Sequence, residues 1–184
     1  MKTEGAAKKL RESFKTAERD EKSGLKHKGL VFRGFNDEEA KRYIEKAKKE
    51  LELCAFYKDM GFDYKIPEEW FYTLYYCALA ILSKFGVESR SQRYTALFLE
   101  YVKEKGLISY DDEFIKRIMV YSKKGEESDV DRREKARYSS SIKIETVREK
   151  YEEITLFCKN AISQTEEIVF SEKEFNIPKE LYSG

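Results

Sequence analysis

The chain has 184 residues, 39% of them charged, with 36 Lys and Arg against 35 Asp and Glu and a net charge of +1. That length suits one domain with a real core. The near-neutral balance gives no global pull toward nucleic acid or anionic membranes. Only Pro67 and Pro178 interrupt a composition rich in Lys, Glu, Arg, Leu and Ala, which is a helical one. Cys54, Cys77 and Cys158 lie far apart and His27 is the one histidine, so no metal site or cofactor is expected. The three cysteines read as buried free thiols.

In chain order, Ala6, Ala7, Leu10, Phe14 and Ala17 are spaced three or four apart and predict a first, charged helix. Glycines 24, 29 and 34 then break the pattern, giving a basic loop with Lys22, Lys26, His27, Lys28 and Arg33. Up to residue 36 there are ten Lys or Arg against five Asp or Glu, and a solvated arm is expected. Asn36 followed by Glu39 resembles a capping box. Ala40, Ile44, Ala47, Leu51 and Cys54 mark one face of the helix it opens, which ends near Gly61.

From Trp70 to Leu82 run thirteen residues of which only Thr73 is neither apolar nor aromatic. A membrane span needs about 20 such residues, so this is a buried helix at 67–85, begun by Pro67 and closed by Gly86. Ser89 is placed to cap a fourth helix with Ala96, Leu97, Phe98, Tyr101 and Val102, stopped at Gly106. Ser109 is placed to cap a fifth, with Phe114, Ile115, Ile118, Met119 and Tyr121, stopped near Gly125. Residues 126–137 are almost purely charged and read as a solvated segment. A last long helix carries Val147, Tyr151, Ile154, Phe157, Cys158 and Ala161 on one face. The tail from Phe170, with Phe175, Ile177, Pro178 and Leu181, is apolar enough to dock on the bundle or a second subunit. No strand alternation is present. The expected fold is all-α, an antiparallel up-and-down bundle of about five helices around 67–85. Its divisions are a charged helix or arm at 1–24, the bundle at 25–170 and a docked tail at 171–184. No secretion signal is recognisable near Met1, and a cytoplasmic protein is expected.

Lys46-Ala-Lys-Lys-Glu-Leu precedes the Trp70–Leu82 run with its Tyr75-Tyr76 pair, and Ser89-Arg-Ser-Gln-Arg-Tyr and Phe98-Leu-Glu-Tyr-Val follow it. Arg133-Glu-Lys-Ala-Arg-Tyr comes later. In this order the motifs resemble the small stand-alone HEPN proteins of archaea and bacteria, over roughly residues 25–168. The resemblance implies a helical bundle, usually a homodimer, among nucleotide- and RNA-associated proteins. Many members are endoribonuclease toxins; others are inactive partners of nucleotidyltransferases in toxin–antitoxin or defence systems. Active members carry an arginine and a histidine separated by four to six residues, the arginine to hold phosphate charge and the histidine to handle the 2′-hydroxyl.

Here Tyr138 stands where that histidine would be, Arg137 replaces the family's aspartate, and Gln92, Arg93 and Tyr94 replace its His-Lys-Gly. An unperturbed tyrosine titrates near 10 and is a poor base at neutral pH. No catalytic residue is therefore assigned. Arg133, Arg137 and Tyr138 are candidates for phosphate or RNA binding, the alternative being a solvated charge run neutralised by Asp129, Asp131 and Glu134. Arg90 and Arg93 are further candidates because they open a helix whose free N–H groups favour anions, against ordinary capping by Ser89 or Ser91. Tyr72, Tyr75 and Tyr76 are candidate groove tyrosines, against plain core packing. The expected function is a non-catalytic HEPN-like protein binding RNA, a nucleotide or a partner such as a nucleotidyltransferase. The alternatives are a histidine-free ribonuclease using Arg133 and Tyr138, and a structural partner subunit.

Overall fold

In the computed structural model, which describes residues 2–119 and 144–181, the apolar run forms a helix at Ile66–Lys84 that the rest of the chain surrounds. Pro67 sits in its first turn, where a missing N–H costs nothing. Gly86 follows its end at φ +73°, a left-handed stop that favours glycine. Trp70, Phe71, Leu74, Cys77, Ala78, Ile81 and Leu82 are all buried, so nearly the whole circumference is core. The few polar groups inside are partnered: the Thr73 hydroxyl donates to the Glu69 carbonyl at 2.9 Å, and Trp70 Nε1 donates to Thr155 Oγ1 at 3.3 Å.

Around it the elements are α1 (Lys2–Lys22), β1 (Leu30–Phe32), α2 (Asp37–Asp59), the central α3 (Ile66–Lys84), β2 (Val87–Ser89), α4 (Gln92–Glu104), α5 (Asp112–Ile118) and α6 (Ile144–Val169). Two 3-10 turns, Asp63–Lys65 and Lys179–Leu181, complete the order. The fold is an all-α bundle, with α3 packed most extensively on α2 and then on α6. No helix among the described residues is long and apolar enough to cross a membrane.

Asn36 caps α2 as its sequence suggests, its side chain accepting from the Glu39 N–H at 3.0 Å. Two other caps differ from expectation. Ser89 belongs to β2, and Ser91 caps α4 by accepting from the Tyr94 N–H. Asp111, rather than Ser109, caps α5. In both cases the capping side chain lies two residues further on, where the first helical turn begins. The fifth helix also stops early: Met119 is already extended, at φ −67° and ψ 140°, well short of Gly125.

The expectation of no strand is corrected by a short antiparallel pair, with Leu30 opposite Ser89, Val31 opposite Glu88 and Phe32 opposite Val87. Three residues are too few to show alternation, and the pairing is set by contact with the bundle instead. Gly29 lies so close to α1 that a Cβ there would stand 2.7 Å from Ser13 Oγ, and the Leu30 N–H donates to that hydroxyl. The first helix is likewise no solvated arm. Leu10, Phe14 and Ala17 are buried, and α1 packs on α4 and β1. At the other end Phe175, Ile177 and Leu181 are buried against the bundle.

Candidate functional site

The seam between α2 and α3 gathers the chain's most unusual side chains. On α2, Tyr43, Lys46 and Glu50 follow at steps of three and four, flanking the core stripe of Ala40, Ile44 and Ala47. On α3, Glu69, Tyr72 and Tyr76 do the same. Such spacing puts each trio on one helix face. Because the helices run in opposite directions across a short link, the two trios meet head to tail.

The Tyr43 and Tyr76 rings stack at 6.1 Å between centroids with 21° between planes, and Tyr76 stacks on Tyr72 at 6.0 Å and 27°. Tyr75 lies on the neighbouring side of α3, stacked on Phe71 at 5.9 Å. All four tyrosines are half-buried. Lys46 Nζ is 5.4 Å from the Tyr43 ring and 5.5 Å from the Tyr76 ring, within cation–π range of both. Burial raises the Tyr43 and Tyr76 hydroxyls above their ordinary pKa, so both stay protonated at neutral pH.

At the other end of the seam the Glu69 side chain is buried. Burial, then a hydrogen bond to Glu50 and the charge of Glu50, lifts it from the ordinary 4.5 to about 8. At pH 7 the neutral form of Glu69, which can donate to Glu50, is therefore favoured. The seam thus offers aromatic faces, one cation and one carboxylate. That set suits a flat, anionic, hydrogen-bonding ligand.

The α4 arginines occupy a different place, and only Arg93 is in the first turn of the helix. Arg90 precedes the Ser91 cap, its backbone N–H donating to the Gly29 carbonyl at 3.1 Å, so it does not open α4 as expected. Arg90 Nε donates to Glu88 Oε1 at 2.9 Å, and the Arg93 guanidinium carbon lies 5.9 Å from the Tyr94 ring. Arg133, Arg137 and Tyr138 lie outside the described residues.

His27, far in sequence from every motif, is brought beside Arg90 by the β1–β2 pairing. Its Nε2 lies 3.1 Å from Glu88 Oε1 and 3.9 Å from Glu21 Oε1. Facing two carboxylates, Nε2 carries the proton, and Nδ1 is left buried without a hydrogen-bond partner. Arg33 ties the same carboxylates together, donating from Nε to Glu88 at 2.7 Å and from both terminal nitrogens to Glu21. Burial pushes the Glu88 carboxyl up, but hydrogen bonds from Arg33 and His27 outweigh it and hold it below its ordinary value. With its side chain fully buried, His27 serves this clasp and does not present itself to a substrate.

The thiols are equally withdrawn. All three cysteines are buried and free, and burial drives Cys77 up to about 12, which removes its nucleophilic form. Among the described residues no three His, Cys, Asp or Glu side chains gather as a metal-ligand set. An open groove of about 520 Å³ between α2 and α6, floored by Leu51, Tyr151 and Ile162, is edged by the Lys48–Glu166 ion pair at 2.9 Å.

Sequence reasoning singled out Tyr72 and Tyr76 but missed Tyr43, Lys46, Glu50 and Glu69. The signal was present as two matching trios, aromatic at one end and acidic at the other, on consecutive helices. No protein-family model matches the chain, and neither a curated protein nor a solved structure matches it.

Proposed function

We propose that the chain is a non-catalytic, HEPN-like binding protein whose ligand is single-stranded RNA or a nucleotide, held at the α2–α3 seam. The observation that carries this reading is the Tyr43–Tyr76–Tyr72 ladder with Lys46 across two of its rings. A base stacks on the outer tyrosine face, Lys46 answers phosphate charge, and Arg42 and Lys49 extend the cation row along exposed α2. The motif order supports a place beside a nucleotidyltransferase in a toxin–antitoxin or defence system, with two copies forming the working unit. The absence of histidine at position 138, and the burial of the one histidine present in the chain, support a binding role over cleavage.

Fluorescence anisotropy with a labelled single-stranded oligoribonucleotide tests it. Tyr43→Leu keeps the apolar contact and removes a stacking face, which is worth about 1–3 kcal/mol, or roughly 5- to 150-fold in affinity. Lys46→Ala should weaken binding and flatten its salt dependence. Undetectable binding by the wild-type chain, or affinity unchanged in both variants, refutes the site. Cleavage of the oligonucleotide by the purified protein refutes the non-catalytic reading.

A further inference from the structure

The last ten described residues are attached to the bundle as a bound peptide would be. After α6 the chain leaves helix, and residues 172–174 are exposed. Among the described residues, the segment that follows makes only one backbone–backbone hydrogen bond outside regular elements. That bond, Leu181 N–H to the Pro178 carbonyl, is internal to the segment. What holds it is side chains. Phe175 packs on Phe85 at 5.1 Å between centroids, and Ile177 and Leu181 are buried. Glu180 is gripped by the Tyr101 hydroxyl at 2.7 Å and Lys105 Nζ at 2.7 Å, while Arg11 donates to its carbonyl at 3.3 Å. The seat is built by α1, α3 and α4 and is chemically specific: apolar sockets and a two-pronged grip for one carboxylate.

We propose that residues 172–181 are a releasable strap, and that the seat beneath them also accepts the same segment from a second copy of the chain. Each of these contacts has a side chain on at least one side and none is a backbone ladder, so a strap from another copy reproduces all of them. Exchange therefore leaves the contacts unchanged and requires only local release, which segments lacking backbone pairing undergo far below the global unfolding free energy. The six residue steps from Val169 to Phe175 reach about 20 Å when extended, enough to cross to an abutting copy. This inference is independent of the ligand proposed for the α2–α3 seam.

The test uses the full chain carrying Phe175→Ala and Leu181→Ala, which weakens its own strap and leaves the seat intact. A labelled synthetic peptide of residues 171–181 should bind this variant at least tenfold more tightly than it binds the wild type. Adding Lys105→Glu to the variant should abolish that gain. Tagged variant should capture untagged wild-type chain through the wild-type strap, and the version with Lys105→Glu should capture less. Absence of peptide binding by a variant with a cooperative melting curve overturns the seat. Peptide binding without capture, or capture indifferent to Lys105→Glu, overturns exchange between copies. If the double variant does not fold, Glu180→Gln loosens the grip alone, and peptide affinity no higher than wild type then counts against the strap.

Discussion

Glu69 is an acid that the fold holds far from its ordinary titration. A carboxyl lifted to about 8 in the folded chain and ordinary, near 4.5, in the unfolded one binds its proton more tightly when folded. Its contribution to stability is fully present below pH 4.5 and is lost as pH rises through 8. Glu69→Gln keeps a donor toward Glu50 without a charge to bury. The variant should therefore lose the fall in melting temperature that the wild type shows between pH 5 and pH 9. At pH 9 it should be the more stable by on the order of 2 kcal/mol. A wild-type melting temperature flat across that range would show that Glu69 is not held neutral. The reverse arrangement holds at Glu88 and Glu21, whose carboxyls sit below their ordinary values, so their contribution weakens as the solution becomes acidic.

At the scale of elements, the β1–β2 clasp decides how α1 joins the bundle. Gly86 has φ +73°, and a Cβ there would stand 2.6 Å from the Gly34 carbonyl carbon, between the two strands' connections. Gly106 has a similar φ, +69°, with nothing within 4 Å. Gly86→Ala should therefore cost roughly 2–4 kcal/mol, strain and clash together, and Gly106→Ala only about 1–2 kcal/mol of strain. Urea midpoints measure the difference; equal losses would mean that the clasp yields freely.

The helices were largely legible because periodicity reports burial: the α2 stripe and the thirteen-residue run of α3 both lie in the core. The clasp was not legible. Its three-residue strands have no period, and their pairing depends on Gly29 meeting Ser13 and on Arg33 reaching Glu88, contacts across long stretches of sequence. The same reason hid His27's partners and the Tyr43–Tyr76 stack. Residues on one helix can be aligned from spacing alone, but which two helices face each other is settled by packing.

For the molecule as a whole, the candidate residues fall in separate places. Arg93 stands in the first turn of α4 and Arg90 on the link before it, bound to Glu88, while the tyrosines lie between α2 and α3. The all-α bundle supplies a rigid wall for the tyrosine seam, because α3 is buried on nearly every other face.

The most direct measurement compares two labelled oligoribonucleotides of equal length at one salt concentration, one with bases and one abasic, against the full chain. Stacking on the tyrosine ladder predicts at least tenfold weaker binding of the abasic strand, with the difference removed in Tyr43→Leu. Equal affinity for the two strands would mean that phosphate charge alone is recognised, and would contradict a base-binding role for the α2–α3 seam.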